Sequence, residues 1–557
     1  LEVSSGGTEI YVAALGSRKV GVLDAAGNIV RRIDVGDGPA GVALDETRNR
    51  LYVVNRFASS LSVVDLTDDS SVEVPLGFDP SHPDIRDGRA LLYDGELSSA
   101  HGDLACATCH IFGGMDNIAW DLGDPTGAFV PPGGGLGLQG FHPMKGPMTT
   151  QSLKGLTSTE PLHWRGDRAG FQDFNGAFTS LMGRTSQLTS GEMQLFEDFV
   201  LTMAYPPSPF RNLDGSHLPS INGADPASGE SLYLTGGLVG GLECVSCHAL
   251  PTGENGLIIP AVALQEDQDM VVPQLRNMYE KTRFDETAGT NVRGFGYTHD
   301  GAIDDLFTFL DFSGFNFNST ADQEDVAAFL MAFETGTHAA VGAQWTMDGT
   351  NEPAGIGRVN TLVAEADAGL IGLIAKGRDG SGEPRGWVYE TGGNWQPDRA
   401  AEPVTTLGAL NAAAADGAEI TFTAVLPGEQ FRLGVDRDED TYLDRDEIDV
   451  GADPYDPLST PATVVGAPLI AASGPASAEL WLKGANPARS ASRFGVRLDR
   501  RGPARLEVFD VTGRRVRTLF NGVQPAGAAE RNWDLRDAAG RPVSAGLYFV
   551  RLTSDHG

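Results

Sequence analysis

Cysteine is scarce in this chain, with only 4 Cys among 557 residues. All four lie in two short stretches, residues 106–110 and 244–248, so no thiol remains elsewhere for a structural disulfide. Apolar runs of 18 or more residues are also missing, which excludes a transmembrane helix. Basic residues are outnumbered, 41 Lys+Arg against 75 Asp+Glu, and the net charge of −34 excludes nucleic acid and anionic membrane as expected partners.

Both cysteine stretches read C-x-x-C-H, the attachment pattern of c-type haem. They supply Cys106, Cys109 and His110, then Cys244, Cys247 and His248. Each thiol pair can form thioethers with the haem vinyl groups, and each histidine can bind iron. A zinc ribbon is the first alternative, but its pairs lie about 15–20 residues apart, and the gap here is 244 − 109 = 135. Thioredoxin-like chemistry needs a βαβ context that the glycine-rich surroundings do not provide. We therefore expect two covalent haem c groups.

Residues 1–75 contain a repeat of short alternating strands. Residues 9–13 are echoed by 50–55, and 19–24 by 60–65, each 41 positions later (51 − 10 and 61 − 20). This period is typical of propeller blades, and residues 39–45 resemble the P-x-G-[IV]-A-[VL] segment of YVTN-type repeats. The sequence predicts fewer than two blades, which either end a larger propeller or pack on the following domains. An unrelated two-hairpin sheet is the alternative.

Motifs around each C-x-x-C-H resemble the bacterial dihaem cytochrome c peroxidase and MauG group over residues 85–340. Residues 88–106 resemble G-x-x-L-[FY]-[FY]-D-x-x-L-S…C, and 163–167 resemble the family's W-D-G-R segment. In the second half, residues 272–277 and 297–301 resemble P-x-L-R-N and P-Y-x-H-D-G. The resemblance implies a peroxidase in which one haem binds peroxide and the other relays electrons. Trp164 and His299 match family positions and are the implied catalytic residues.

Two departures from the family weaken the peroxidase assignment. Residues 181–184 stand where a glutamate is expected, and no methionine follows His299 where the electron-transfer haem finds its ligand. The sequence therefore favours an electron carrier with six-coordinate irons, and Met148 and His299 are candidate distal ligands, a methionine raising and a histidine lowering the potential. Its partner is a redox protein or a small oxidant. The alternatives are an active peroxidase that reduces hydrogen peroxide and a secreted binding or adhesion protein with accessory haems.

Capping patterns predict the helix that closes each half. Thr189-x-x-Glu192 precedes apolar residues at helical spacing, and Thr320-x-x-Gln323 does the same in the second half. We expect Thr189 and Thr320 to be the capping residues, and each helix to complete a small cytochrome c domain.

An acidic stretch follows at residues 436–447. Oxygen donors occupy positions 1, 3, 5, 7, 9 and 12 of an EF-hand-like loop. They are Asp436, Asp438, Asp440, Tyr442 (through its carbonyl), Asp444 and Glu447. Thr441 stands where such a loop prefers glycine. Residues 451–457 resemble thrombospondin type 3 repeats. The pattern predicts a structural Ca²⁺, and the alternative is a solvated acidic turn.

Residues 470–557 predict a β-sandwich of short strands. They resemble the FlgD-type immunoglobulin-like module found at the C-terminus of type IX secretion cargo, which implies attachment at the cell surface. A plain adhesion domain is the alternative. The chain opens inside a β-repeat, so we expect an export signal to have preceded it. The expected location is extracytoplasmic, whether periplasmic, cell-surface or secreted.

The predicted fold is therefore multidomain, with two mainly-α cytochrome c domains between N-terminal propeller-like repeats and a C-terminal Ig-like β-sandwich. The expected boundaries are 1–75 for the partial propeller repeats, 76–215 and 216–345 for the two cytochrome c domains, 346–435 for an irregular β-rich region of unknown role, 436–460 for the acidic loop and 465–557 for the sandwich.

Overall fold

The computed structural model describes residues 1–76, 79–129, 144, 146–264, 266, 268–282, 296–350, 352–379, 382–414, 418–462, 478–483, 491–498, 502–510, 514–525, 527–538, 540–543 and 548–554. The chain forms two compact units, Leu1–Thr463 and Val464–Gly557. Within the described ranges, no helix has the length and apolar character needed to cross a bilayer.

The repeat at the N-terminus folds into two antiparallel four-stranded sheets. Sheet A contains β1 (Glu2–Val3), β2 (Glu9–Ala14), β3 (Lys19–Asp24) and β4 (Ile29–Asp34), and sheet B contains β5 (Pro39–Asp45), β6 (Arg50–Asn55), β7 (Ser60–Asp65) and β8 (Ser70–Pro75). Each sheet is a meander in chain order. The prediction of fewer than two blades was therefore wrong: each 41-residue repeat supplies four strands. The described residues contain no closed propeller.

Sheets A and B share one apolar core. Val20 and Val22 of sheet A and Leu51, Val53 and Val64 of sheet B are fully buried in the same cluster. Because side chains alternate between the two faces of a strand, these residues fix which face of each sheet meets the other.

Hairpin ends of both sheets contact the chain that follows. The Gly16 carbonyl accepts a hydrogen bond from the backbone N–H of Gly95 at 2.7 Å. The rings of Phe57 and Tyr93 lie 5.0 Å apart. Gly16 and Phe57 are equivalent repeat positions, since 57 − 16 = 41, so the two β-hairpins contact neighbouring residues of the following chain from equivalent positions.

Residues 76–345 contain two halves, and each runs from an opening helix through a C-x-x-C-H 3₁₀ turn and a two-stranded ribbon to a closing helix. The first half contains α1 (Pro83–Tyr93), α2 (Gly95–Ser98), 3₁₀ turns at Cys106–Thr108 and Ile111–Gly113, β9 (Ala119–Trp120), β10 (Met148–Thr149), a 3₁₀ segment at Phe171–Gly176, α3 (Ala177–Ser180) and α4 (Ser190–Leu201). The second contains α5 (Pro226–Thr235), a 3₁₀ turn at Cys244–Ser246, β11 (Ile258–Ile259), α6 (Ala261–Leu264), β12 (Met270–Val271), α7 (Met278–Lys281), α8 (Leu306–Leu310) and α9 (Thr320–Met331).

The first and last helices of each half cross at a glycine. A Cβ at Gly88 in α1 would lie 1.9 Å from the carbonyl oxygen of Leu195 in α4. A Cβ at Gly229 in α5 would lie 1.9 Å from the carbonyl oxygen of Asp325 in α9. Only glycine permits so close an approach. The same crossing in both halves indicates that they are structural repeats of one another.

The two closing helices begin differently. At α4, the Thr189 hydroxyl accepts from the Glu192 N–H at 3.3 Å and the Glu192 carboxylate accepts from the Thr189 N–H at 2.8 Å, which confirms the capping box. At α9 the prediction was wrong by one residue. Ser319 is the cap, accepting from the Asp322 N–H at 3.2 Å, and the buried Gln323 amide donates to the Phe307 carbonyl instead.

Residues 344–450 contain a six-stranded sheet and four helices. The strand order is β13-β18-β14-β15-β16-β17, and all neighbouring strands are antiparallel. Its strands are β13 (Gln344–Met347), β14 (Gly372–Arg378), β15 (Pro384–Glu390), β16 (Asn394–Pro397), β17 (Thr405–Thr406) and β18 (Ile420–Val425), and the helices are α10 (Glu352–Asp367), α11 (Leu407–Ala413), α12 (Gln430–Gly434) and α13 (Asp444–Val450). Trp395 and Phe422 are completely buried in its core with Leu362 of α10. The region expected to be irregular is thus a layered α+β structure.

The second unit contains two antiparallel three-stranded sheets in the described ranges. One has the order β19-β20-β23, built from Ala478–Leu482, Ser492–Leu498 and Gly527–Trp533, and the other β22-β21-β24, built from Arg515–Gln524, Gly502–Asp510 and Tyr548–Ser554. Phe494 and Trp533 of the first sheet pack with Val508 and Val516 of the second. This shared core is that of the β-sandwich predicted from the sequence.

Candidate functional site

The two C-x-x-C-H segments have the same backbone conformation. In the first, the N–H groups of Cys109 and His110 donate to the Cys106 carbonyl at 3.2 and 2.9 Å. In the second, Cys247 and His248 donate to the Cys244 carbonyl at the same two distances, 3.2 and 2.9 Å. Each turn thus presents two thiols and one imidazole from a single tight 3₁₀ segment.

A backbone carbonyl orients each of these imidazoles. His110 Nδ1 lies 2.9 Å from the Gln151 carbonyl oxygen, and His248 Nδ1 lies 2.7 Å from that of Gly253. Because a carbonyl oxygen can only accept, Nδ1 carries the proton and Nε2 keeps its lone pair. Burial lowers the pKa of both histidines, which favours the neutral ring. A neutral imidazole fixed through Nδ1 is the form that ligates a metal.

Cys106 and Cys244 lie in apolar surroundings, and none of the four thiols forms a disulfide. Burial raises the pKa of Cys106 and of Cys244 to about 11. Cys106 packs against the cluster that contains Leu91 and Phe196, and Cys244 against the cluster that contains Phe329. Neutral thiols on apolar clusters, each beside an oriented imidazole, fit a covalently attached porphyrin.

Trp164 and His299 occupy equivalent positions in the two halves. Each follows a non-glycine residue with positive φ, His163 (71°) and Thr298 (70°). Each also lies in a small loop closed by an antiparallel bridge, Leu162 with Arg168 in one half and Tyr297 with Ile303 in the other. The repeat therefore places an indole in one half where it places an imidazole in the other.

The loop of each half contacts the short ribbon of the other. The Thr149 N–H donates to the His299 carbonyl at 2.7 Å, and the Val271 N–H donates to the Trp164 carbonyl at 2.8 Å. The indole Nε1 of Trp164 also donates to the Thr149 carbonyl at 2.9 Å. The backbone of Thr149 therefore connects Trp164 with His299, two residues singled out from the sequence.

Further contacts join the halves. The Arg276 guanidinium donates to the Gly155 carbonyl, and the Gln274 amide donates to the Lys154 carbonyl at 3.4 Å. Lys281 Nζ lies 5.4 Å from the centroid of the Trp164 ring, and burial lowers the pKa of this amine to about 8. Sequence reasoning missed Lys281, which follows no motif, and Thr149, whose role is carried entirely by its backbone.

The candidate distal ligands are placed separately. Met148 is half-buried in β10, opposite Trp120 of β9. The ring of His299 has Nδ1 3.9 Å from a carboxylate oxygen of Glu266. Both residues lie at the junction between the halves. Met148 directly precedes Thr149 in the ribbon, and the Thr149 N–H donates to the His299 carbonyl.

The acidic loop brings four of its predicted donors together. The carboxylates of Asp436, Asp438 and Asp440 lie within 4.8 Å of one another. Six buried oxygens receive no hydrogen bond from any described part of the chain: Asp436 Oδ1, both of Asp438, Asp440 Oδ2 and both of Glu447. Burial is the largest cause that raises the pKa of Asp438 to about 6 and of Glu447 to about 8. Six inward oxygens match the ligand number of Ca²⁺.

The remaining predicted donors are arranged differently. Both carboxylate oxygens of Asp444 accept from Arg437, the guanidinium at 2.8 and 3.0 Å and the backbone N–H at 2.9 Å. Tyr442 is exposed, and its N–H donates to Asp440. Thr441 has φ of 82°, so it adopts the left-handed conformation that such a loop normally assigns to glycine. The loop geometry is thus retained without the glycine.

Comparison with known proteins defines the class of the C-terminal unit. This β-rich multidomain chain ends in an Ig-like domain. That domain is of the FlgD Ig-like family, whose model matches residues 485–557. No curated protein matches the chain.

Similar solved structures include hydrazine synthase of Kuenenia stuttgartiensis, at 16% identity and TM-score 0.33, covering 46% of this chain and 89% of that one. FlgD of P. aeruginosa is 24% identical with TM-score 0.11, over 12% of this chain and 50% of that one. PorU of Porphyromonas gingivalis is 23% identical with TM-score 0.13, over 15% and 8%.

Proposed function

We propose that this protein is an extracytoplasmic dihaem c-type cytochrome that transfers electrons. One haem is attached through Cys106 and Cys109 with His110 as proximal ligand. The other uses Cys244 and Cys247, with His248 as its ligand. The observation that carries the proposal is that both turns present a neutral imidazole, fixed through Nδ1 by a backbone carbonyl.

The junction between the halves supports transfer between two sites. When bound, haem iron supplies one-electron redox chemistry. The chain's contribution is to hold the two sites at a fixed separation. The backbone hydrogen bonds of Thr149 to His299 and of Val271 to Trp164 do this, with Arg276 as a third connection. The electron partner is a redox protein or a small oxidant.

Haem counting tests the proposal directly. The protein is produced in a host that attaches haem c, denatured, and examined by mass spectrometry and by the pyridine spectrum. We expect the mass of two porphyrins, and one in each paired variant, Cys106→Ala/Cys109→Ala and Cys244→Ala/Cys247→Ala. A denatured chain without covalent porphyrin, or a paired variant that keeps both, contradicts the assignment.

A second candidate function is the reduction of hydrogen peroxide. The observation in its favour is the position of His299, whose ring adjoins the Glu266 carboxylate at the junction where Trp164 lies. A histidine beside a carboxylate can accept and return a proton. High-spin iron together with peroxide turnover that His299→Gln abolishes, at unchanged haem content, supports the enzyme. Two low-spin haems without turnover support the carrier.

We also propose that Asp436, Asp438, Asp440 and Glu447 hold a structural calcium ion, because six buried oxygens without hydrogen bonds are costly unless a cation neutralises them.

The FlgD Ig-like domain supports a surface location. Protease treatment of intact producing cells tests this: the full chain is expected to be cleaved, and a chain truncated after residue 463 to be lost from the cell surface. Equal surface display of both chains contradicts a sorting role.

A further inference from the structure

The imidazole of His163 is held by a carboxylate in the loop that carries Trp164. Its Nδ1 lies 2.8 Å from Oδ1 of Asp167. The second oxygen of that carboxylate, Oδ2, accepts from Arg165 at 3.3 Å and from Arg168 at 3.2 Å. Because an ionised carboxylate can only accept, Nδ1 carries a proton, and in the neutral ring Nε2 keeps its lone pair. A metal-ligating histidine has this arrangement, with its other ring nitrogen donating to a carboxylate or a carbonyl.

The ring of His163 lies at the apolar cluster that also receives the first C-x-x-C-H turn. It meets the Phe174 ring almost at right angles, with the centroids 4.7 Å apart, and both Phe174 and Cys106 pack against that cluster. The side chain of His163 is 32% exposed, so part of the ring is accessible to a ligand. Burial is the main cause that lowers the pKa of His110, and repulsion from the nearby His163 also lowers it. The two imidazoles of the first half therefore lie close to one pocket.

One short stretch of backbone holds both of these segments. The Gln151 carbonyl orients His110 at 2.9 Å. The Thr149 carbonyl accepts from the indole of Trp164, the residue that follows His163. Only one residue separates the two carbonyl groups, so the α-carbons of Thr149 and Gln151 are at most about 7 Å apart. The loop that carries His163 is thus fixed beside the proximal histidine of its own half.

The second half has a threonine at the corresponding position. Thr298 and His163 have φ of 70° and 71°, and each precedes the equivalent ring residue of its half. The Thr298 hydroxyl donates to a carboxylate oxygen of Asp300 at 2.7 Å. Histidine, methionine, cysteine and tyrosine are the usual axial ligands of haem iron, and threonine is not among them. This loop position can therefore supply an iron ligand in the first half alone.

We propose that His163 is the second axial ligand of the first haem, in addition to His110, and that Asp167 is its positioning residue. This inference rests on the proposed dihaem function and names a ligand for one of its two sites. The first haem is then six-coordinate with two imidazoles, and its reduction potential is lower than Met148 would give it as the ligand.

Spectroscopy of the oxidised dihaem chain tests the assignment. Electron paramagnetic resonance and near-infrared magnetic circular dichroism distinguish bis-histidine low-spin iron from high-spin iron. His163→Gly is expected to convert one of the two haems to high spin at unchanged haem content. Added imidazole is expected to restore the low-spin signal, because it can enter the space that the side chain leaves. In the Cys244→Ala/Cys247→Ala chain, which carries only the first haem, the conversion is expected to be complete.

Two further variants separate ligation from other roles. His101→Gly is the matched control, because it removes an exposed histidine of the same half and is expected to leave both haem spectra unchanged. Asp167→Asn retains an acceptor for Nδ1 but removes the negative charge. It is expected to keep the low-spin iron and to raise the potential of one haem, since the imidazole becomes a weaker donor. Two unchanged potentials contradict the positioning role of Asp167.

Several results overturn the assignment of His163. One is a wild-type spectrum in His163→Gly, and another is a loss of low-spin iron that only Met148→Leu produces. High-spin iron that added imidazole does not convert, at an unchanged far-ultraviolet circular dichroism spectrum, shows that His163 shapes the pocket without binding iron. Haem content distinguishes these failures from failure of the proposed function. A chain without covalent haem contradicts the function, whereas a dihaem chain whose spectrum ignores His163→Gly contradicts this ligand alone.

Discussion

Calcium binding by the acidic loop is expected to release about one proton at pH 7. In the metal-free chain, Glu447 has a pKa of about 8 and Asp438 of about 6. At pH 7 these values leave Glu447 about 0.9 protonated and Asp438 about 0.1, and both must ionise to bind Ca²⁺. The sum is about one proton, rising to about two at pH 5 and falling to about 0.1 at pH 9.

The apparent affinity of the loop for Ca²⁺ is therefore expected to depend on pH. Since protons compete with Ca²⁺ for the same oxygens, the apparent affinity is expected to rise about a hundredfold from pH 6 to pH 8. The stability of the metal-free chain changes in the opposite direction. The pKa of Glu447 is about 4.5 in the unfolded chain and about 8 in the folded chain, so the folded chain holds its proton more tightly. The free energy of unfolding therefore falls as the pH rises from about 4.5 to about 8. Saturating Ca²⁺ removes that loss.

Isothermal titration calorimetry measures the proton directly. Titrations at pH 7 in two buffers of different ionisation enthalpy give the number released per Ca²⁺. Glu447→Gln is expected to reduce release to about 0.1 proton or less and to weaken binding. Glu439→Gln is the matched control, because this exposed residue lies in the same loop and carries the same charge. Tight binding without proton release refutes the electrostatic reasoning, and no heat from the wild-type chain refutes the site.

Three further outcomes are expected. Gly88→Ala places a methyl group against backbone at 1.9 Å and is expected to cost about 3 kcal/mol or more in denaturant unfolding, whereas Gly191→Ala, with no atom within 4 Å, leaves stability unchanged or higher. Trp164→Phe retains the ring but loses the indole hydrogen bond, and rapid-mixing spectroscopy is expected to show slower electron exchange between the halves at unchanged haem content. Arg276→Met removes the guanidinium bond to Gly155, and limited proteolysis between the halves is expected to be faster than in wild type. Equal rates or stabilities contradict each expectation in turn.

Local features were predictable because a few adjacent residues determine them. The C-x-x-C-H turns have the same geometry because five residues specify it, and the Thr189 capping box formed as expected. The cap at α9 was missed because Ser319 is an equally good acceptor one residue earlier. Short strands separated by helix α10 concealed the sheet of residues 344–425, since periodicity over four to seven residues is a weak signal.

Contacts between distant segments were beyond sequence reasoning. Thr149 and His299 are 299 − 149 = 150 residues apart, and their bond uses backbone atoms that every residue type has. Lys281 reaches Trp164 across the same junction without belonging to a motif. In the acidic loop, spacing predicted Asp444 as a donor, and the ion pair of its carboxylate with Arg437 followed from no motif.

Trp164 and His299 occupy equivalent positions but carry different rings, so the junction between the halves is asymmetric. Two halves with the same residue at this position would present the same chemical groups from both sides of the junction. An indole in one half and an imidazole in the other makes the two sides different, since the indole nitrogen can only donate a hydrogen bond and an imidazole can also accept one. The junction therefore has a donor group on one side and a group that can donate or accept on the other, although the two loops share one backbone arrangement.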